Sequence, residues 1–358
     1  MKKQRCLYIA FMILTGTCFF LSCQQKTREQ EKEQHLPTGA QPASEENKDF
    51  PIELNDRLGN LVRLEQPAQR IVCLFDPIID LIYMLGDEEK LVGIPVETYV
   101  DPELFVPLSQ LDPRIATEQL PAPGSNELVK IEEVIALKPD LLIVQHLGEG
   151  MASTLKRMGI SVYIARSMSQ EDLFTELRDV ALMTGNGERG RELSNYARNL
   201  LDKMEKRNLT RKNDPKKEVY FTWANGRIFS TAGRGSMMHD CLVYAGVENV
   251  CTTNIDQPNI NPETLIGWNP DLIVMWNDSP DLFYKRKELS PVKAIANRRI
   301  YNLMPMFYYN PHTLKSLCAS TAIHTWAYGQ EENALPSVRE IIEKLYGKEK
   351  SKRFQNLP

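Results

Sequence analysis

Apolar positions along this chain change their spacing in a regular way, and each change marks an element. From Ile52 to Leu64 apolar and polar residues alternate around Leu58-Gly59-Asn60, the pattern of two short strands joined by a turn. Arg70-Ile71-Val72-Cys73-Leu74-Phe75 is then apolar almost throughout, which suits a strand covered on both faces of a parallel sheet. Asp80 to Leu85 has helical spacing, and Gly86 supplies the stop. Leu91–Ile94 and Val162–Arg166 read as further short strands, with a helix around Thr154–Met158 between them. Val96 to Asn126 is proline-rich and irregular, and is expected to be an insertion or part of a ligand mouth. Ser169 three residues before Asp172 resembles a capping-box start, with Leu173, Leu177, Val180 and Ala181 following at helical spacing until Gly185-Asn186-Gly187.

A longer helix comes next, from Glu188 to about Arg207, with Leu193, Tyr196, Ala197, Leu200, Leu201 and Met204 on one side. About 20 residues at 1.5 Å each span roughly 30 Å, the width of a lobe, so this segment reads as a strut. Beyond it, Val219–Trp223 starts a second strand-rich half. That half continues through Arg227–Thr231, a helix over Asp240–Gly246 and a strand over Arg299–Met304. Leu314–Tyr328 and Val338–Tyr346 read as closing helices, and the last dozen residues as frayed. Strands alternating with helices predict an α/β fold with mainly parallel sheets.

The two halves share a motif. At a constant offset Glu132 superimposes on Glu263, Ile135 on Ile266, and Pro139-Asp140-Leu141 on Pro270-Asp271-Leu272. Each copy is an acidic start, a turn or two of helix, a Pro-Asp break and an apolar strand. Proline pushes Lys138 and Asn269 out of the right-handed helical region and ends each helix there. Asp80–Gly86 and Asp240–Gly246 form a second matching pair, at a different offset. Two lobes of one plan with unequal insertions follow, although generic α/β segments also resemble one another.

The N-terminus changes the picture. Met1-Lys2-Lys3-Gln4-Arg5 is basic and Cys6–Leu21 apolar, so residues 1–22 read as a secretory signal rather than a fold element. The sequence Phe20-Leu21-Ser22-Cys23 resembles a bacterial lipobox, with Phe20 in place of the usual aliphatic residue, and Cys23 is the expected lipidation site. Residues 23–50 are rich in Gln, Glu, Lys, Pro and Ser and predict a disordered tether. The body is then expected as an N-terminal lobe (51–185), an interlobe helix (186–210) and a C-terminal lobe (211–358), lipid-anchored and extracytoplasmic in a bacterial cell envelope, on a periplasmic face. Of the remaining cysteines, Cys73 and Cys318 sit in apolar elements and read as buried, while a Cys241–Cys251 bridge is open.

Net charge is −4, which gives no reason to expect nucleic acid. The chain lacks a dinucleotide or phosphate loop, a nucleophile elbow and a zinc-protease motif, and its five histidines are dispersed, so no enzyme is expected. Ligands of parallel sheets sit beyond the strands' carboxyl ends. Those ends collect Phe75-Asp76-Pro77, His146, Arg166, Trp223, Trp276-Asn277 and Met306-Phe307-Tyr308-Tyr309. Arg234, in the Gly233-Arg234-Gly235-Ser236 turn before a helix, adds a possible anion contact. The set suits a large, flat or hydrophobic ligand with some anionic groups. Each member also has a plainer reading, the tryptophans as caps of the core, His146 as a structural histidine and the tyrosines as edge aromatics.

Three stretches resemble one known family. Arg70–Gly86 with Leu91-Val92-Gly93, Ile131–Val144, and Pro291–Tyr301 resemble the periplasmic binding proteins of iron–siderophore, haem and cobalamin ABC importers. Together the likeness covers roughly residues 70–346. It implies two α/β lobes joined by one rigid helix, with the ligand held in the cleft between them. It also implies that Glu132 and Glu263 dock, one per lobe, onto a permease dimer driven by its ATPase. The implied ligand is an iron or cobalt complex rather than a free metal ion. Tyr308, Tyr309, His146 or His239 would serve as axial ligand if it is haem, and no catalytic cofactor is implied.

Overall fold

The computed structural model describes residues 50–211, 215–223, 225–329, 335–355 and 357. The expected signal segment, Cys23 and nearly all of the tether lie outside these residues. The first predicted strands form an antiparallel hairpin of β1 (Ile52–Asn55) and β2 (Leu61–Leu64). Asp56 closes its turn by accepting the N–H groups of Leu58 and Asn60 at 2.9 and 2.8 Å.

Two four-stranded parallel sheets carry the rest. The first holds β3 (Ile71–Cys73), β4 (Leu91–Gly93), β5 (Leu141–Val144) and β6 (Ser161–Ile164) in the order β4-β3-β5-β6. The second holds β7 (Glu218–Thr222), β8 (Glu248–Asn249), β9 (Leu272–Trp276) and β10 (Ile300–Leu303) in the order β10-β9-β7-β8. Read in chain order, both sheets place the second strand, the first, the third and the fourth side by side. Val72, Leu142, Tyr220 and Ile273 are completely buried, as strands with helices on both faces require.

The shared motif explains this likeness at the level of the backbone. The helices Ile131–Ala136 and Pro262–Trp268 end just before Lys138 and Asn269, which adopt left-handed φ values of 49° and 46°. Proline forbids right-handed continuation, and both residues reverse the chain instead. The aspartates that follow then fix the sheets. The Asp140 N–H donates to Arg70 O at 3.0 Å, and the Asp140 carboxylate accepts from Gln69 N at 2.7 Å and Arg70 N at 3.1 Å. Asp271 N–H donates to Glu218 O at 2.8 Å, and its carboxylate accepts from Glu218 N at 3.1 Å. Each Pro-Asp step thus satisfies the exposed end of its lobe's first strand, β3 or β7.

The helix Gly187–Thr210, 24 residues and about 36 Å long, connects the two sheets. Leu193, Ala197, Leu200, Leu201 and Met204 are buried as the stripe predicts. The helix packs on Gln170–Met183 in the first lobe and on Met237–Tyr244 and Ser316–Tyr328 in the second. Gly190 permits the first of these contacts, because a Cβ there would overlap that of Ala181.

Two sequence expectations are corrected. Residues 96–126 contain the helices Glu97–Val100, Pro102–Leu111 and Pro113–Ala116. Pro102 and Pro113, which read as breakers, occupy first helical positions, where a missing N–H costs nothing, and Pro107 lies inside the helix that Pro102 starts. Asp101 and Asp112 cap them, accepting from Glu103 N and Arg114 N at 2.9 Å each. The C-terminus is not frayed either. Phe354 and Leu357 are buried, Arg353 Nη1 donates to Leu111 O at 2.9 Å and Gln355 N to Gln110 Oε1 at 2.8 Å. Two anchoring apolar residues make no periodicity for the sequence to show. Cys73, Cys241, Cys251 and Cys318 are all free and buried, so Cys241 and Cys251 are not bridged.

Candidate ligand-binding cleft

The carboxyl ends of β3, β9 and β10 meet at one pocket. Asp76, Asp80, Leu104 and Leu108 line it from the first lobe, and Trp276, Met306, Phe307, Asn310 and Lys315 from the second. Asp76 and Asp80 belong to the helix Asp76–Leu85, one turn apart on the same face, which Pro77 starts and left-handed Gly86 ends. A smaller neighbouring pocket lies between Pro77, Ser167, Glu176 and His312.

The floor is a buried ionic cluster. Lys315 Nζ lies 2.8 Å from Asp80 Oδ2 and 3.3 Å from the centre of the Phe307 ring. The Tyr346 hydroxyl donates to the other oxygen of Asp80. Lys315 is 1% exposed, and burial lowers its pKa while the charge of Asp80 opposes the shift. The cluster therefore joins the first lobe's opening helix to two later segments through a pair of cancelling charges. A second tie runs from His312 Nδ1, which donates to Ser167 O at 2.8 Å. The Glu176 carboxylate shapes the partner loop by accepting the N–H groups of Arg166 and Ser167 and the Ser167 hydroxyl.

Asp76 stands on the first-lobe wall. Its Oδ2 accepts from Asn126 Nδ2 at 2.9 Å. Burial, with the charges of Glu97, Asp101 and Asp80 behind it, pushes its pKa up to about 6. Opposite it, Trp276 packs edge-on against Trp223 with ring centres 6.0 Å apart.

Of the strand-end residues the sequence offered, Asp76, Trp276, Met306 and Phe307 line this pocket. Trp223 is 8% exposed and backs Trp276, with its indole N–H committed to Thr231 O at 2.9 Å. His146, Arg166 and Arg234 are exposed and line neither pocket. Tyr308 and Tyr309 are buried outside both pockets. Tyr308 packs edge-on against Phe354, its hydroxyl points to Gln355 O, and burial pushes its pKa up to about 12. His239 is half-buried, with Nδ1 3.2 Å from Asn249 Nδ2, and burial lowers its pKa. The Gly233–Ser236 turn is a plain packing turn, since Gly233 N and Arg234 N donate to Asp256 O and Thr253 O. Glu132 and Glu263 are exposed in the first turns of matching helices, and neither forms an ion pair among the described residues.

Sequence reasoning missed Lys315 and His312. Lys315 carried a signal, a single charge at the head of the apolar stretch Leu314–Ile323, where a buried cation needs a partner. His312, in an Asn-Pro-His-Thr loop, carried none.

Two parallel-sheet lobes on one long helix, with a pocket where their strand ends meet, define a two-lobed binding protein. The chain belongs to the periplasmic binding protein family, whose model matches residues 71–306. It is 21% identical over 269 residues to an uncharacterized ABC transporter substrate-binding lipoprotein, YvrC, of Bacillus subtilis, covering 74% of this chain and 81% of that protein. It is 26% identical over 211 residues to the vitamin B12-binding protein of Salmonella typhimurium, covering 58% and 72%. A periplasmic solute binding protein of Veillonella parvula shares the fold with a TM-score of 0.73 and 21% identity, over 86% and 95% of the two chains. Among the described residues, no helix is long and apolar enough to cross a membrane.

Proposed function

We propose that this chain is a lipid-anchored substrate-binding protein, held by Cys23, that captures a metal complex between its lobes and hands it to an ABC importer. The observation that carries this reading is the pocket built jointly by Asp76 and Asp80 of one lobe and Trp276, Phe307 and Lys315 of the other. A ligand held there touches both lobes at once, so a partner gripping both can sense and release it. Asp, Glu, His and Cys side chains do not gather in threes at any point among the described residues that would hold a bare ion. The pocket offers aromatic and aliphatic area instead, which suits the organic periphery of a siderophore, haem or corrinoid complex.

Glu132 and Glu263 are the proposed docking contacts. They are exposed, lack ion-pair partners among the described residues and stand at equivalent points of the two lobes. A permease of two subunits presents two such sites. Arg166, at the exposed edge of the cleft, is the proposed rim contact for a carboxylate of the ligand. An enzyme acting on the same complex is the competing reading. The full chain in mild detergent, mixed with haem, cyanocobalamin and ferric siderophores, is read by native mass spectrometry and visible absorption. An unaltered one-to-one complex is expected, and turnover of the bound complex would favour the enzyme. Glu132→Ala with Glu263→Ala should abolish uptake in cells and leave binding intact; unchanged uptake would refute the docking roles.

A further inference from the structure

Three charged side chains line the interlobe pocket, Asp76, Asp80 and Lys315. Lys315 is already paired with Asp80 and capped by the Phe307 ring, so those two cancel. Asp76 remains as the uncompensated charge. Its Oδ1 is buried with no hydrogen-bond partner, although Oδ2 is satisfied by Asn126. The charged groups acting on it, Glu97, Asp101 and Asp80, are all acidic. Asn126 N donates to Glu97 Oε1 at 3.3 Å, and the remaining oxygens, Glu97 Oε2 and Asn126 Oδ1, are also buried without partners.

A buried acceptor without a donor is costly, and several beside one another compound the cost. A metal ion would relieve it, but these side chains do not converge in threes on a metal position among the described residues. The wall facing Asp76 is aromatic, with Trp276 and Phe307 in the same lining, and aromatic faces attract cations. Arg166 and Arg234, the cations that would call for an anionic ligand, line neither pocket. Resting on the binding-protein reading, we infer that the cleft recognises a positively charged N–H group of the ligand, an ammonium or guanidinium, which donates to Asp76 Oδ1 and lies against Trp276. Any anionic part of the ligand is left towards the rim.

The test uses a pair of probes that differ by this group alone. The full chain in mild detergent and its Asp76→Asn variant are titrated with ferrioxamine B, a ferric complex with a free ammonium, and with its N-acetylated form. Tryptophan fluorescence reports binding, because Trp276 lines the pocket. The wild-type chain should bind ferrioxamine B at least about tenfold more tightly than the acetylated complex. Asp76→Asn keeps an acceptor for Asn126 and should bring the two affinities within about twofold. Equal binding by the wild-type chain, or a preference that survives Asp76→Asn, overturns the inference and leaves the binding-protein reading standing. So does binding of haem or cyanocobalamin, neither of which has an ammonium, in place of both ferrioxamines. Failure of every one of these complexes to bind overturns both.

Discussion

The two lobes are alike where the backbone organises itself and different where they face the ligand. Both use the same strand order, the same left-handed residue before proline and the same aspartate at the foot of the first strand. At the cleft the first lobe contributes carboxylates and the helix Pro102–Leu111, while the second contributes Trp276, Phe307 and Lys315. Backbone hydrogen bonds at a strand end have one good solution, so both copies show it. Cleft side chains answer to the ligand, and a ligand lying across two lobes has no need to look the same from each side.

The sharpest contrast is between Asp80 and Asp240, which hold equivalent places in matching helices that end at Gly86 and Gly246. Asp80 is locked into the buried pair with Lys315, whereas Asp240 is half-buried and burial alone pushes its pKa up to about 6. Removing one partner of a buried pair strands the other charge, so Asp80→Ala or Lys315→Ala should cost about 3–5 kcal/mol in urea unfolding. Asp240→Asn should cost nothing above pH 6 and, because burial penalises the ionised carboxylate there, should be stabilising instead. Equal losses at the two positions would erase the distinction between the lobes.

Asp76 gives the next largest effect, with the opposite sign. Its pKa is near 6 in the folded chain and about 4 in the unfolded one, so the folded state holds the extra proton between those values. Stability of the wild-type chain should therefore fall as pH rises from about 4 through 6 and stay level above. Asp76→Asn lacks this loss and should be more stable by about 1–3 kcal/mol at pH 7.5, with the advantage vanishing near pH 4. Thermal unfolding of both proteins across that range checks it, and a difference independent of pH would show that Asp76 titrates normally.

Smaller effects test what the lobes share. Asp140→Ala and Asp271→Ala each remove a strand-end cap, and each should cost about 1–2 kcal/mol, with Asp140 the greater because it accepts from two N–H groups. A large loss at one and none at the other would mean the motif is repeated in sequence but not in role. Glu132→Ala and Glu263→Ala should change unfolding by less than about 0.5 kcal/mol, since both side chains are exposed and unpaired. A larger change would assign them a role in the fold instead of docking.

The sequence alone determined the elements whose signals are local. Alternation placed the β1–β2 hairpin, and apolar runs placed the central strands β3, β5, β7 and β9. Gly86 and Gly246 marked helix ends, and the apolar stripe from Leu193 to Met204 marked the strut. These follow from side-chain periodicity and from what proline and glycine permit, which neighbours in sequence suffice to show. Residues 96–126 misled because a proline reads as a breaker until its place at a helix start is known. Only the tertiary structure decided the cleft. It turned Tyr308 and Tyr309 inward, left His146, Arg166 and Arg234 outside the pockets, and joined Asp80, Lys315 and Tyr346 from opposite ends of the chain. Whether a charge is paired, stranded or solvated depends on partners hundreds of residues away, and no local pattern records where those partners fall.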